Sequence, residues 1–188
     1  MILDEISDIS IGLVLKRKQS VYKSSKSKKY KLFNVRNYED GALYEDFYSD
    51  EDLSNFLTKE GDIIFRLAMP LRAIEVTKEI SGTIITNQFC LIRLKSKRYT
   101  SSFLSWYLQS DLMRKQIEKY LMGTAIKAVP ISKVKTIQVP EMSIEKQKKL
   151  SNIIKNWNKQ EELLKQEINL KNKYFYSIIR NEIKKEIK

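Results

Sequence analysis

The last 46 residues, 143–188, constrain the fold most, because they contain no glycine and no proline. Apolar residues recur in this stretch at spacings of three and four, which is the pattern of one face of an α-helix. Ser143 stands just ahead of the pattern and is a candidate N-cap. We therefore predict one long helix here, about 65–70 Å in length at 1.5 Å per residue.

The apolar face of this helix is narrow, as in the seam of a coiled coil. A seam of this length needs cover, and the simplest cover is a second copy of the same helix, so we predict a homodimer. The alternative is a helix that folds back onto its own domain. The residues predicted to form the dimer or partner seam are Leu150, Ile154, Trp157, Leu164, Ile168, Phe175 and Ile179.

A basic surplus points to an anionic partner, since 35 Lys and Arg face 23 Asp and Glu for a net charge of +12. Nucleic acid, an anionic membrane face and an acidic protein all fit such a surplus. Residues 16–31 hold eight Lys or Arg and no acid. This segment is either a solvated loop or a phosphate-contacting one, and its lack of an apolar face argues against a membrane-surface helix.

Several function classes are excluded by missing residues. The chain has no histidine and only one cysteine, Cys90, so His-based triads, His-ligated metals and thiolate clusters cannot form within it. Neither a phosphate loop nor a dinucleotide fingerprint is present. We expect no cofactor, no metal, no enzymatic activity in isolation and a buried, structural Cys90. With no apolar span or leader pattern, we expect a soluble, cytoplasmic protein without a membrane partner.

The first 140 residues predict a mixed α/β domain, so the expected fold class is α+β with a long C-terminal helix. A helix is predicted from Ser101 or Ser102, as N-cap, to Gly123, as C-cap. Residues 36–60 are polar and acidic and indicate a loop with at most one short element. The segments with strand-like patterns are 6–15, 30–35, 61–67, 71–77, 82–94 and 131–139.

The order of four motifs is informative across nearly the whole chain. They are GDIIFRL at 61–67, Thr86-Asn87-Gln88 ahead of the strand 89–94, FLSWYLQS at 103–110, and ISKVKTIQVPEMSIEKQKKLSNII at 131–154 with Gln147 heading the long helix. This set resembles the DNA specificity subunits of type I restriction–modification systems. More closely, it resembles half of one: a target-recognition domain over 1–140 and a spacer or dimerisation helix over 141–188. Complete members carry two of each, and no internal repeat supplies the second here.

The resemblance implies a subunit that reads double-stranded DNA. A separate modification subunit of the family methylates adenine from S-adenosylmethionine, and a restriction subunit can join; this chain lacks the methyltransferase signature. Two chains paired through their helices would read an inverted repeat with an unspecific spacer. Two alternatives stay open: a truncated subunit that acts as a decoy or alters the specificity of a host modification subunit, and a basic coiled-coil scaffold that binds RNA or an acidic protein.

Candidate DNA contacts lie in predicted loops, where Arg, Asn and Gln can reach base edges. Arg66 and Arg72 are otherwise ordinary surface or ion-paired arginines, and Asn87 and Gln88 otherwise close a turn. Candidates for phosphate are Lys26, Lys28 and Lys29. Candidates for bases or nearby backbone are Arg36, Asn37, Tyr38, Arg66, Arg72, Asn87 and Gln88, with Thr124 and Lys127 as further candidates after the helix.

Overall fold

The computed structural model describes residues 1–18, 27–33, 44–121 and 128–187. The chain divides into two compact units, Met1–Gln147 and Lys148–Lys188. In the described residues the strands are β1 (Ser7–Ile11), β2 (Lys28–Phe33), β3 (Tyr44–Ser49), β4 (Ile63–Arg66), β5 (Ala73–Glu75), β6 (Thr83–Ile84) and β7 (Phe89–Leu94). The helices are α1 (Leu3–Ile6), α2 (Ser101–Tyr107), α3 (Asp111–Leu121), α4 (Ile131–Lys135) and α5 (Ile144–Glu186). The expected α+β class with a long C-terminal helix is confirmed.

Two sheets organise the first unit within the described residues. The first has the order β1-β7-β4-β5, and each neighbouring pair is antiparallel. The second has the order β3-β2-β6, with β2 antiparallel to β3 and parallel to β6. Since β6 and β7 are separated by only four residues, the chain steps directly from the second sheet into the first.

Buried apolar side chains from both sheets form the core. One cluster contains Phe33 and Phe89, whose rings lie edge to face with centroids 6.1 Å apart, so it ties β2 to β7. A second cluster packs Leu13, Leu32 and Phe47 under the second sheet. The predicted buried Cys90 is fully enclosed in β7.

The strand predicted over 131–139 is wrong, because Ile131–Lys135 forms the short helix α4. The amide groups of Lys133 and Val134 donate to the Pro130 carbonyl at 2.8 and 3.2 Å, which closes a helical turn directly after the proline. Proline suits the start of a helix since it lacks an N–H group that the first turn could not use.

The single helix predicted from Ser101 is also wrong, because it is interrupted after Tyr107. Ser110 starts a second helix, with its hydroxyl accepting the Met113 amide at 3.3 Å. The N-cap of α2 is Thr100 rather than Ser101 or Ser102, whose hydroxyls bond Glu75 instead. The predicted C-cap Gly123 lies outside the described residues.

Two further differences concern strands. The segment 82–94 splits into β6 and β7, with residues 85–88 between them. The segment 36–60, predicted to hold at most one short element, contains β3 and a 3₁₀ turn at Ser54–Phe56 in its described part.

The long helix predicted after Ser143 is confirmed, since α5 runs from Ile144 to Glu186. The Ser143 hydroxyl accepts the Lys146 amide at 3.3 Å and so acts as the predicted N-cap. From residue 155 to residue 187 every side chain is exposed. No helix in the described part of the chain is long and apolar enough to cross a membrane.

Candidate nucleic-acid interface

One end of the first sheet brings together four of the predicted base-contacting residues. Arg66 is the last residue of β4, and its amide donates to the Arg72 carbonyl at 2.8 Å across the β4–β5 hairpin. On the other side of β4, the Leu67 amide donates to the Gln88 carbonyl at 2.9 Å. The backbones of Arg66, Arg72 and Gln88 are therefore fixed beside one another by the ladder.

The turn that carries Asn87 and Gln88 is held by the end of β1. The Asn87 amide donates to the Leu13 carbonyl at 2.9 Å, and Gly12 donates to the Phe89 carbonyl at 3.0 Å. A Cβ atom at Gly12 would lie only 2.2 Å from the Thr86 carbonyl oxygen, so this close approach requires glycine. Sequence reasoning missed Gly12, although a glycine at the end of a strand pattern signals such an approach.

Described residues next to two further groups of candidates, 36–38 and 124–127, lie at the same end of the first sheet. The Val129 amide donates to the Leu67 carbonyl at 2.7 Å, and Ala128 bridges to Ala68. At the end of β2, Phe33 packs on Phe89. The predicted contacts Lys26, Arg36, Asn37, Tyr38, Thr124 and Lys127 lie outside the described residues.

The side chains at this end carry the donors and acceptors that base recognition needs. Arg72, Asn87 and Gln88 are exposed, and Arg66 is half-buried. Arginine pairs with guanine through two hydrogen bonds, while asparagine and glutamine pair in the same way with adenine. A cluster of these residue types on rigid strand ends suits the reading of base edges in a groove.

The predicted phosphate contacts Lys28 and Lys29 lie elsewhere, at the far end of β2 from Phe33. The distance along β2 from Lys28 to Phe33 is about 16 Å at 3.3 Å per residue. Lys28 pairs with Asp52 at 3.1 Å and Lys29 with Asp46 at 2.8 Å. Hydrogen bonding to Asp46 raises the pKa of Lys29 above its ordinary value. Lys18, which sequence reasoning did not single out, pairs with Glu51.

The arginine of β7 has a structural role instead. Arg93 binds the buried Asp62 through two nitrogen atoms, at 2.8 and 2.6 Å. This pairing raises the pKa of Arg93. In the described ranges, no group of three or more His, Cys, Asp or Glu side chains lies close enough to hold a metal ion.

The predicted partner seam on α5 is largely exposed. Leu150 and Ile154 are half-buried, whereas all later members present much of their surface to solvent. The exposed fractions are Trp157 68%, Leu164 58%, Ile168 59%, Phe175 57% and Ile179 43%.

These elements define an α+β domain joined to one long helix, a combination that can be compared with known proteins. No protein-family model matches the sequence. No curated protein matches it either.

Solved structures do match. The HsdS subunit from Thermoanaerobacter tengcongensis aligns over 87% of this chain with a TM-score of 0.63 and 17% identity. A chain from a structural study of complex assembly and conformational transition of the type I R-M system aligns over 87% with a TM-score of 0.66 and 17% identity. The type I restriction–modification S subunit from M. genitalium aligns over 86% with a TM-score of 0.54 and 18% identity.

The chain therefore has the fold of type I restriction–modification S subunits, and the resemblance seen in the sequence motifs is confirmed at the level of the fold. It spans less than half of each matched chain, namely 43%, 43% and 39% of their lengths.

Proposed function

We propose that this chain is a sequence-specific DNA-binding specificity subunit of a type I restriction–modification complex. The observation that carries the proposal is the shared fold with S subunits, which extends over 87% of the chain. The net charge of +12 supports a polyanionic partner. The cluster of Arg66, Arg72, Asn87 and Gln88 supplies groups that discriminate between bases.

DNA reading divides between two kinds of contact in this proposal. The cluster at the end of the first sheet reads base edges, and the lysines of the segment 16–31 contact phosphates. Phosphate contacts add affinity without sequence preference, whereas base contacts add preference. The proposal also includes Lys26 as a phosphate contact, and Arg36, Asn37, Tyr38, Thr124 and Lys127 as contacts to bases or nearby backbone.

The helix α5 pairs with a second copy in the proposed assembly. Its exposed seam would be covered by the same seam of the partner, which is the requirement of an isologous interface. An antiparallel pair presents two identical domains to the duplex, so the target is an inverted repeat. The length of α5, about 65 Å at 1.5 Å per residue, then fixes the gap between the half-sites.

We propose that the catalytic step belongs to a partner, an adenine methyltransferase acting as the modification subunit, with a restriction subunit as an optional further component. This chain contributes recognition of the target sequence and no cofactor. Co-purification with a candidate modification subunit, followed by mapping of methylated adenines, tests the proposal. We expect methylation at two identical blocks in inverted orientation; methylation that does not depend on this chain would contradict it.

Two substitutions separate the two kinds of contact. Arg72→Ala removes a base-directed group and is expected to relax preference at one base pair, by roughly tenfold. Lys28→Ala is expected to weaken binding to every duplex alike. Selection from a randomised duplex pool measures the base preference, and titration of one labelled duplex measures the overall affinity; an unchanged selected sequence for Arg72→Ala would remove this residue from the interface.

The dimer is tested on the helix itself. Ile168→Glu places a charge in the middle of the seam and is expected to give monomers in sedimentation at micromolar concentration. Gln166→Glu is the matched control, since residue 166 lies on the opposite side of the helix at 100° per residue. A wild-type chain that sediments as a monomer would refute the homodimer.

A nucleic-acid binding assay and the co-purification experiment distinguish the two remaining functions. Preference for single strands or RNA over duplex at two salt concentrations would favour the RNA-binding scaffold. Binding of a modification subunit without methylation of any site would favour a decoy.

A further inference from the structure

Two segments of opposite charge each contribute a strand to the second sheet, where β2 lies next to β3. Residues 16–31 carry eight basic side chains and no acid. Residues 44–52, the acidic segment, carry five acids and no Lys or Arg. The antiparallel pairing of β2 with β3 places residues 28–33 beside residues 44–49, with Lys31 directly opposite Asp46.

Ion pairs join these segments through three lysines of the described residues. Lys29 Nζ lies 2.8 Å from Asp46, Lys28 Nζ lies 3.1 Å from Asp52, and Lys18 Nζ contacts Glu51. The hydroxyl of Ser27 adds a hydrogen bond to Asp50 at 2.7 Å. The residues on both sides of the stretch 19–26 are therefore held by one acidic turn, Asp50–Asp52.

These pairs are available for exchange. Each paired side chain is 33–61% exposed, and exposed pairs contribute little to stability because water and salt screen them. Hydrogen bonds from Ser54 and from Lys28 hold the pKa of Asp52 below its ordinary value, so this carboxylate keeps its charge at neutral pH. A phosphate oxygen offers each lysine the same kind of partner as the carboxylate.

We propose that Asp46, Glu51 and Asp52 compete with DNA phosphate for Lys29, Lys18 and Lys28, and so limit sequence-independent binding. This inference rests on the proposed DNA-binding function and concerns its regulation. A lysine that is already paired must give up its carboxylate before it contacts the backbone of a duplex. Each such exchange reduces the net gain from a phosphate contact. The base-reading cluster at the end of the first sheet has no part in this exchange.

The test uses the full chain and a duplex of random sequence at low salt. Asp46→Asn with Glu51→Gln removes the partners of Lys29 and Lys18 while keeping side-chain size. Glu60→Gln with Glu118→Gln is the control, because it changes the net charge equally at two exposed sites outside the acidic segment. We expect the Asp46→Asn, Glu51→Gln double variant to bind the duplex about threefold to tenfold more tightly than the wild type, with a steeper salt dependence. The control double variant is expected to gain less affinity.

A double-mutant cycle shows whether Asp46 acts through Lys29. Asp46→Asn is expected to tighten binding in the wild-type background and to have little effect when Lys29→Ala is also present. Equal effects in both backgrounds, or equal effects of the test and control pairs, overturn the inference alone. Failure of the wild-type chain and all variants to bind duplex overturns the proposed function and this inference together.

Discussion

At the scale of single residues, Gly12 determines how closely β1 approaches the turn that carries Asn87 and Gln88. Gly12→Ala would place a methyl group 2.2 Å from the Thr86 oxygen and 2.6 Å from the Ile85 oxygen, both in the backbone. Since a backbone cannot move aside as a side chain can, we expect a loss of about 1–3 kcal/mol in the free energy of unfolding. Urea denaturation measures it.

The same substitution is expected to disturb base preference, because the Asn87 amide bonds the Leu13 carbonyl next to Gly12. Gly61→Ala is the control: Gly61 has φ +85° with open space around it, so alanine there costs conformational strain only. Normal DNA preference together with normal stability in Gly12→Ala would show that the turn tolerates the shift.

Cys90 provides a pH-dependent prediction, since burial raises the pKa of its thiol to about 12. The folded protein holds the thiol proton to higher pH than the unfolded chain does. Its contribution to stability is therefore complete below the ordinary pKa near 9 and declines as pH rises toward 12. At pH 8.5 we expect a thiol reagent to label the denatured chain rapidly and the native chain slowly. Rapid native labelling would contradict the burial.

At the scale of elements, the first turn of α5 depends on one buried amide, Gln147. Its Oε1 accepts the Thr100 amide at 3.0 Å, and its Nε2 donates to the carbonyls of Arg98 and Met142 at 2.7 and 3.0 Å. Gln147→Ala leaves three backbone groups without this partner, so we expect a loss of about 1–3 kcal/mol in unfolding free energy.

Thermal or urea unfolding tests this, with Lys146→Ala as the control at an exposed neighbouring position. Equal stability of the two variants would mean that water replaces the amide without penalty.

The elements that could be predicted from sequence are those with a local cause. The long helix follows from residues 143–188, where an N-cap serine precedes a stretch without glycine or proline. The strand β7 begins at Phe89, directly after the polar turn that the motif analysis placed there. Helix α4 had a local signal too, because Ile131, Val134 and Ile137 recur every three residues, but the pattern of 131–139 between its two prolines was interpreted as a strand.

The element that could not be predicted has a non-local cause. The sequence YEDFYS of β3 is acidic and reads as a loop by itself. It becomes a strand because its backbone pairs with β2 over six residues and its Phe47 packs into the core beside Leu32. Both partners come from a distant part of the chain, so the local sequence of β3 carries no strand pattern that predicts the pairing.

At the scale of the whole molecule, the candidate site combines residues whose types could be chosen from sequence and whose grouping could not. Arg66, Arg72, Asn87 and Gln88 were selected for their chemistry, yet only the antiparallel order of β4, β5 and β7 shows that they share one sheet end. The same strand geometry places Lys28 and Lys29 at the far end of β2, beside an acidic segment. Among the described residues, the base-directed and phosphate-directed candidates therefore occupy separate regions.

Salt concentration should act on the two proposed interactions with opposite signs. Binding of DNA by a chain of net charge +12 releases counterions from the duplex, so it weakens as salt rises. The helix α5 carries eleven Lys or Arg and six Glu, a surplus of five positive charges. Two copies of such a helix repel each other, and salt screens this repulsion while leaving the apolar seam intact.

We therefore expect the affinity of the homodimer to rise as salt increases from about 50 to 500 mM. Over this range the screening length falls from roughly 14 Å to 4 Å. Sedimentation equilibrium measures the dimer, and fluorescence anisotropy of a labelled duplex measures the DNA complex over the same range. An association of α5 that weakens with salt would instead indicate that its seam pairs with an acidic helix of another protein. The sign of the salt dependence thus distinguishes self-association from association with an acidic partner.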